Sequence, residues 1–159
     1  MSQLPARTVA ETQITVVQMM LPIHANLAGN VHGGQVMKLI DDAAGAVAIR
    51  HARANCVTAS IDRLDFHAPI YVGDLCLLKA SLNCVGRSSM EVGVRVEAEN
   101  MRTGSVRHTA SAYLTFVALG PDGKPQSVAP LEFKTDEERR RCDAAMIRRE
   151  ERARTRAAR

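Results

Sequence analysis

The stretch Asn26–Ala52, NLAGNVHGGQVMKLIDDAAGAVAIRHA, decides the fold. It opens as a loop through Asn26, Gly29 and Asn30, and from Gly34 to about Ala52 it consists of strong helix formers. Val36, Leu39, Ile40, Ala43 and Val47 recur at the i, i+3, i+4, i+7 spacing of a buried stripe. Two adjacent carboxylates, Asp41 and Asp42, interrupt what otherwise reads as a core helix. At roughly 100° per residue the stripe centres near Val47, and Asp41 and Asp42 fall on opposite flanks, about 120° and 140° away. Asp42 has Lys38 one turn earlier, so an exposed ion pair accounts for it. Asp41 instead has Met37, Ala44, Gly45 and Ala48 around it, small residues that let another surface come near. A carboxylate there is disfavoured unless paired, hydrogen-bonded or partly protonated. It is either a functional group or a satisfied interface acid.

Gly33 and Gly34 immediately precede the helix, which leaves backbone N–H groups and the positive end of the dipole open to an anion or a developing oxyanion. Alone, HGG is a weak signal. With a carboxylate two turns further on it outlines an acyl-transfer site.

Outward from the helix the pattern changes to a period of two. TQITVVQMML, residues 12–21, reads as a first strand, and four alternating runs follow the helix: CVTASIDRLDF, GDLCLLKASLNCV, SSMEVGVRVEAEN and SVRHTASAYLTFVAL. The first slips phase between Ile61 and Leu64, which predicts a bulge near Asp62-Arg63. The third sets Val92, Val94, Val96 and Ala98 against Glu91, Arg95, Glu97 and Glu99, a sheet with one wet face. Short Gly-containing connections make these runs an antiparallel meander, and Ala59, Ala110 and Ala112 permit a close helix-to-sheet approach. Beyond Thr135 the chain starts with a capping box, Thr135 and Glu138, and continues as a charged helix. Its arginines suit a solvated or subunit-packing face first and an anionic partner second. The fold class is α+β, a long central helix wrapped by an antiparallel β-sheet, with residues 1–11 as an arm, 12–134 as the domain and 135–159 as the C-terminal helix.

The 159 residues suit one domain. Of the net charge of +4, residues 136–159 hold nine Arg against six acids, leaving a nearly neutral body. With aromatics at 3% and no Trp, nucleic-acid binding is not expected. Cys56, Cys76, Cys84 and Cys142 lack C-x-x-C spacing and read as reduced, mostly buried thiols. No apolar leader or membrane-length run is present, so a cytoplasmic protein without a membrane partner is expected. The five histidines show no tight ligand spacing, and no G-x-S-x-G elbow or P-loop occurs.

NLAGNVHGGQVMKLIDDAAGAVAIRHA, VTASIDRLDFHAPIYVGD, VGRSSMEVGVRVEAEN and ASAYLTFVAL resemble, in that order, the hotdog-fold acyl-CoA thioesterases of the cytosolic acyl-CoA hydrolase type, over residues 12–150. The resemblance implies that the helix is the sausage and the sheet the bun. It also implies that two subunits join sheets edge to edge with active sites between them, and that the homo-oligomer is a trimer of dimers. The family's catalytic Asp falls on Asp41 and its catalytic Asn on Asn26, supplied by opposite subunits. The backbone at Gly33 and Gly34 matches the group that polarises the thioester carbonyl. The hairpin for the nucleotide end of coenzyme A falls on Gly86, Arg87, Ser88 and Ser89, where an Arg and two hydroxyls suit phosphate; without the resemblance, Ser88-Ser89 reads equally as turn chemistry. Asn30 either caps the loop or lines the site. No cofactor or metal is expected, coenzyme A being part of the acyl-CoA substrate and of the product. The alternatives are a hydratase, which would want an Asp/His pair where the helix offers Asp41 only His51, almost three turns away, and a non-catalytic acyl-CoA-binding or sensor protein on the same fold.

Overall fold

Alternation produces strands where the sequence places them. The computed structural model describes residues 4–158. In chain order these form β1 (Arg7–Thr8), β2 (Ile14–Met19), a 3-10 turn (Pro22–His24), α1 (Gly33–Ala52), β3 (Asn55–Phe66), β4 (Leu75–Val85), β5 (Ser89–Glu99), β6 (Val106–Leu119), β7 (Leu131–Glu132) and α2 (Asp136–Ala157). The main sheet runs β2-β4-β5-β6-β3, antiparallel throughout, and β1 pairs parallel with β7. The expected meander holds for β4, β5 and β6 only. β3 lies beyond β6, so residues 67–74 carry the chain across three strand spacings, about 14 Å, well within the reach of eight residues. That placement makes β3 an edge strand.

α1 packs its stripe of Val36, Leu39, Ile40, Ala43, Ala44, Val47 and Ala48 on the even-numbered side chains of the sheet, among them Leu78, Leu82, Val92, Val96, Ala112 and Leu114. The small residues do permit a close approach: Gly45 faces Phe116, and a methyl group there would sit 3.6 Å from the ring. Ala59 has no part in it, because it is the exposed residue skipped at a register shift between Thr58 and Ser60. The shift expected near Asp62-Arg63 is present as a second one, between Ile61 and Arg63. At its C-terminal end α1 stops on Arg53 in the left-handed region, φ 53°, and the Arg7 guanidinium donates to the carbonyls of Arg50 and His51.

The face expected to be wet is partly covered. α2, capped by Thr135, which accepts from the Glu138 N–H at 3.1 Å, lies across the outer face of the sheet instead of trailing into solvent. Glu91 is buried there and accepts two hydrogen bonds from Arg148; Arg152 pairs with Asp62. Arg148 also stacks on Tyr113, 3.8 Å from the ring centre. The same docking overturns the expectation of four free thiols. Cys84 on β4 and Cys142 on α2, 58 residues apart, meet with Cα atoms 4.7 Å apart and form a disulfide. Cys56 and Cys76 remain free, and burial pushes the Cys76 thiol up to about 11.

Candidate active site

Asp41 sits on the flank of α1 that faces the start of β3, half-buried, and its Oδ1 accepts from Thr58 Oγ1 at 2.8 Å. Thr58 is exposed, as are Val57, Ile61 and Phe66 further along the same edge strand and Met37 one turn before Asp41. A carboxylate thus stands beside an unpaired, partly apolar sheet edge. Asp42, one residue on, points to solvent and holds Lys38 at 2.8 Å, as the spacing predicts.

The loop before α1 is tied by Asn26. Its Oδ1 accepts from the Ala28 and Asn30 N–H groups at 2.9 and 3.3 Å, and its own N–H donates to the Asn30 carbonyl at 2.7 Å. Asn30 therefore both closes the loop and lines the adjoining cavity of about 340 Å³, which Asn26, Val36, Phe66 and His67 also line. At the helix start, the Gly34 N–H does not stand open as the sequence suggests. His32 is the N-cap, and its Nδ1 accepts that N–H at 2.9 Å. A methyl group at Gly34 would lie 3.0 Å from this nitrogen, so the second glycine makes room for the histidine. The Gly33 N–H is the amide of the pair without a protein acceptor among the described residues.

Asn26 and Asp41 make no hydrogen bond to each other among the described residues. Eight helical residues separate Gly33 from Asp41, a rise of about 12 Å, and Asp41 does not line the cavity that Asn26 lines.

Gly86, Arg87, Ser88 and Ser89 form the β4–β5 turn, closed by the Gly86 N–H donating to the Ser89 carbonyl at 2.7 Å. The turn is also held from outside: the Arg87 carbonyl accepts from Val128 and the Ser88 carbonyl from Ala118. Arg87 is exposed. A groove of about 670 Å³ between α2 and the outer sheet face is lined by none of these residues. Among the described residues no cluster of His, Cys, Asp and Glu is arranged to hold a metal ion, and no helix is long and apolar enough to cross a membrane.

Sequence reasoning missed Thr58 and His32. Thr58 carried a signal only through strand register, which places it opposite Phe116 at the end of β3 nearest Asp41; His32 carried one in its N-cap position before two glycines.

Residues 28–105 match the model of the thioesterase superfamily. An uncharacterized acyl-CoA thioester hydrolase of Bacillus subtilis is 40% identical over 80% of this chain and 74% of its own. The cytosolic acyl coenzyme A thioester hydrolase of Mus musculus is 38% identical over 86% of this chain and 36% of its own length. Among solved structures, an apo-hexameric acyl-CoA thioesterase superposes with a TM-score of 0.93 at 37% identity, covering 98% of this chain and 100% of its own. The Staphylococcus aureus acyl-CoA hydrolase, in complex with butyryl coenzyme A, coenzyme A and coenzyme A disulfide, gives 0.90 at 34%, covering 97% and 94%. Three further structures of that enzyme carry alanine in place of an aspartate, an asparagine and a threonine. The chain belongs to the thioesterase superfamily, and within it to the hotdog-fold acyl-CoA thioester hydrolases.

Proposed function

We propose that this enzyme hydrolyses acyl-CoA to a free carboxylic acid and coenzyme A in sites formed where the β3 edges of two subunits meet. The observation that carries the reading is Asp41, held by Thr58 on the flank of α1 beside an edge strand whose Val57, Ile61 and Phe66 are exposed. Pairing two such edges extends the sheet, covers the apolar residues and places the partner's loop against Asp41. Asn26 of that loop then orients water or substrate from across the interface. The Staphylococcus aureus variants support the assignment: the three altered positions are spaced along that chain as Asn26, Asp41 and Thr58 are along this one.

Asp41 acts on water as a general base or attacks the carbonyl as a nucleophile; either route ends with water cleaving the acyl group and the thiol leaving. The Gly33 N–H, at the positive end of α1, supplies charge stabilisation to the carbonyl oxygen, and the Gly34 N–H joins it if the oxygen displaces His32. Arg87, Ser88 and Ser89 bind the nucleotide end, so no cofactor is needed beyond the substrate's own coenzyme A. The assembly is a homo-oligomer, a trimer of dimers, in the cytoplasm.

The test is thiol release from acyl-CoA esters of short to long chains, without added metal. Turnover above background is expected. Protein that binds the esters yet releases no thiol would make the chain an acyl-CoA sensor.

A further inference from the structure

We propose that Arg149 on α2 is a further substrate-binding residue, a second guanidinium that joins Arg87 on a phosphate at the nucleotide end of coenzyme A. The assignment rests on the acyl-CoA reading above and brings into the site a helix that the sequence placed outside it.

The Arg149 guanidinium lies directly on the backbone of the β4–β5 turn. A methyl group at Gly86 would sit 2.8 Å from its Nη1, 3.3 Å from its Nη2 and 2.8 Å from Ser89 Oγ. Gly86 is not in the left-handed region, so what the missing side chain provides is room for the ends of two side chains, Arg149 and Ser89, and not a backbone conformation. A side chain at Gly86 would displace the Arg149 guanidinium from its place beside Ser89.

The neighbours of Arg149 show what is unusual about it. Arg148 is committed to Glu91 and Arg152 to Asp62, both carboxylates on the sheet. Arg149, between them in sequence, has no carboxylate or hydrogen-bond partner among the described residues. Those two ion pairs, with the Cys84–Cys142 disulfide two residues before Gly86, hold α2 in place and leave one guanidinium unspent at the turn. Arg149 shares a small cleft with Ser89, whose hydroxyl lies against the same face of Gly86, and Arg87 and Ser88 are the two residues of the turn between Gly86 and Ser89. A phosphate seated at the turn accepts from the Arg149 guanidinium and the Ser89 hydroxyl, with Arg87 on the same turn as the second cation.

The experiment compares wild type with Arg149→Ala, Arg149→Gln and Arg149→Lys, using acyl-CoA and the matching acyl-pantetheine thioester. On acyl-CoA, Arg149→Ala and Arg149→Gln should raise KM roughly tenfold with kcat within about twofold, Arg149→Lys should recover part of the loss, and the effect should shrink as salt rises. On the pantetheine ester all should match wild type. Arg87→Ala combined with Arg149→Ala should show non-additive losses, as two contacts on one phosphate do. A 3′-dephospho ester names the phosphate: loss of the Arg149 effect assigns the 3′-monoester, and its retention assigns the diphosphate. If wild type hydrolyses acyl-CoA but the Arg149 variants keep its KM, the assignment is overturned and the hydrolase reading stands. Equal losses on the pantetheine ester overturn it too, by showing a structural role. Wild type inactive on every acyl-CoA removes the hydrolase reading itself.

Discussion

Thr58 Oγ1 donates to Asp41 Oδ1 at 2.8 Å, a bond that joins the central helix to an exposed edge strand and fixes one carboxylate oxygen, leaving the other to act. A hydrogen bond to a charged group contributes about 1.5–3 kcal/mol. Thr58→Ala should therefore lower kcat/KM by roughly 10- to 100-fold, and Thr58→Ser should retain most of it. In an Asp41→Asn background the same change should do little more. Full additivity in this cycle would show that Thr58 acts independently of Asp41.

Asp42 is the internal control. Its ion pair with Lys38 has both side chains more than half exposed, a class of interaction contributing about 0–1 kcal/mol. Asp42→Asn should leave turnover within about twofold, whereas Asp41→Asn should lose at least the ~100-fold associated with acid–base catalysis. Equal losses in steady-state assays would refute the choice of Asp41.

The difference between the two carboxylates was legible in sequence because a helical wheel ranks positions around one axis, and Lys38 explained Asp42 one turn away. The helix, the five main strands and the Asp62-Arg63 bulge were legible for the same reason: each rests on local periodicity. What periodicity cannot show is which strands become neighbours. The excursion of β3 past β6 creates the edge beside Asp41, and it depends on an eight-residue crossing that reads only as a loop. The docking of α2 was hidden because its arginines find carboxylates far away in sequence, Glu91 and Asp62, which a solvated helix would leave to water. The Cys84–Cys142 contact follows from that docking and has no spacing signature of its own.

A site divided between subunits predicts complementation. Asn26→Ala and Asp41→Ala proteins, each inactive alone, should regain activity when mixed under conditions that exchange subunits, because a mixed dimer contains one site with both groups intact. Activity should approach about a quarter of wild type, since random pairing makes half the dimers mixed and each has one good site of two. No recovery despite subunit exchange verified by native mass spectrometry would place both residues in one subunit.

The Glu91–Arg148 pair predicts the stability of the α2 docking. Glu91 is 6% exposed, and its Oε1 accepts from both Arg148 and Asn83. Removing Arg148 alone strands a buried carboxylate, a change that costs about 3–5 kcal/mol. Arg148→Ala should lower the urea midpoint correspondingly, and Glu91→Gln with Arg148→Met should recover much of the loss. A shift below ~1 kcal/mol for Arg148→Ala would show that α2 is not held to the sheet by this pair.

His51 predicts how stability varies with pH. It lies at the C-terminal end of α1, 1% exposed, with Nε2 donating to the Ala129 carbonyl at 2.8 Å and no partner for Nδ1 among the described residues. The helix dipole and the Ala129 carbonyl favour the imidazolium, but burial outweighs them and pushes the group below its ordinary 6.5, with Arg7 adding repulsion. The unfolded chain therefore takes up the proton first as pH falls. Between 6.5 and the lower folded-state value the unfolded state holds more protons, so stability is complete above about 6.5 and declines below it, by at most about 1.4 kcal/mol per pH unit. Urea midpoints at fixed protomer concentration from pH 8 to 5 should show that slope. His51→Gln keeps a donor to Ala129 and cannot titrate, so it should remove one proton's worth of the slope while lowering stability at pH 8 only modestly. Identical pH dependence in the two proteins would mean that His51 takes up its proton at the same pH folded and unfolded, and that burial is not the dominant influence on it.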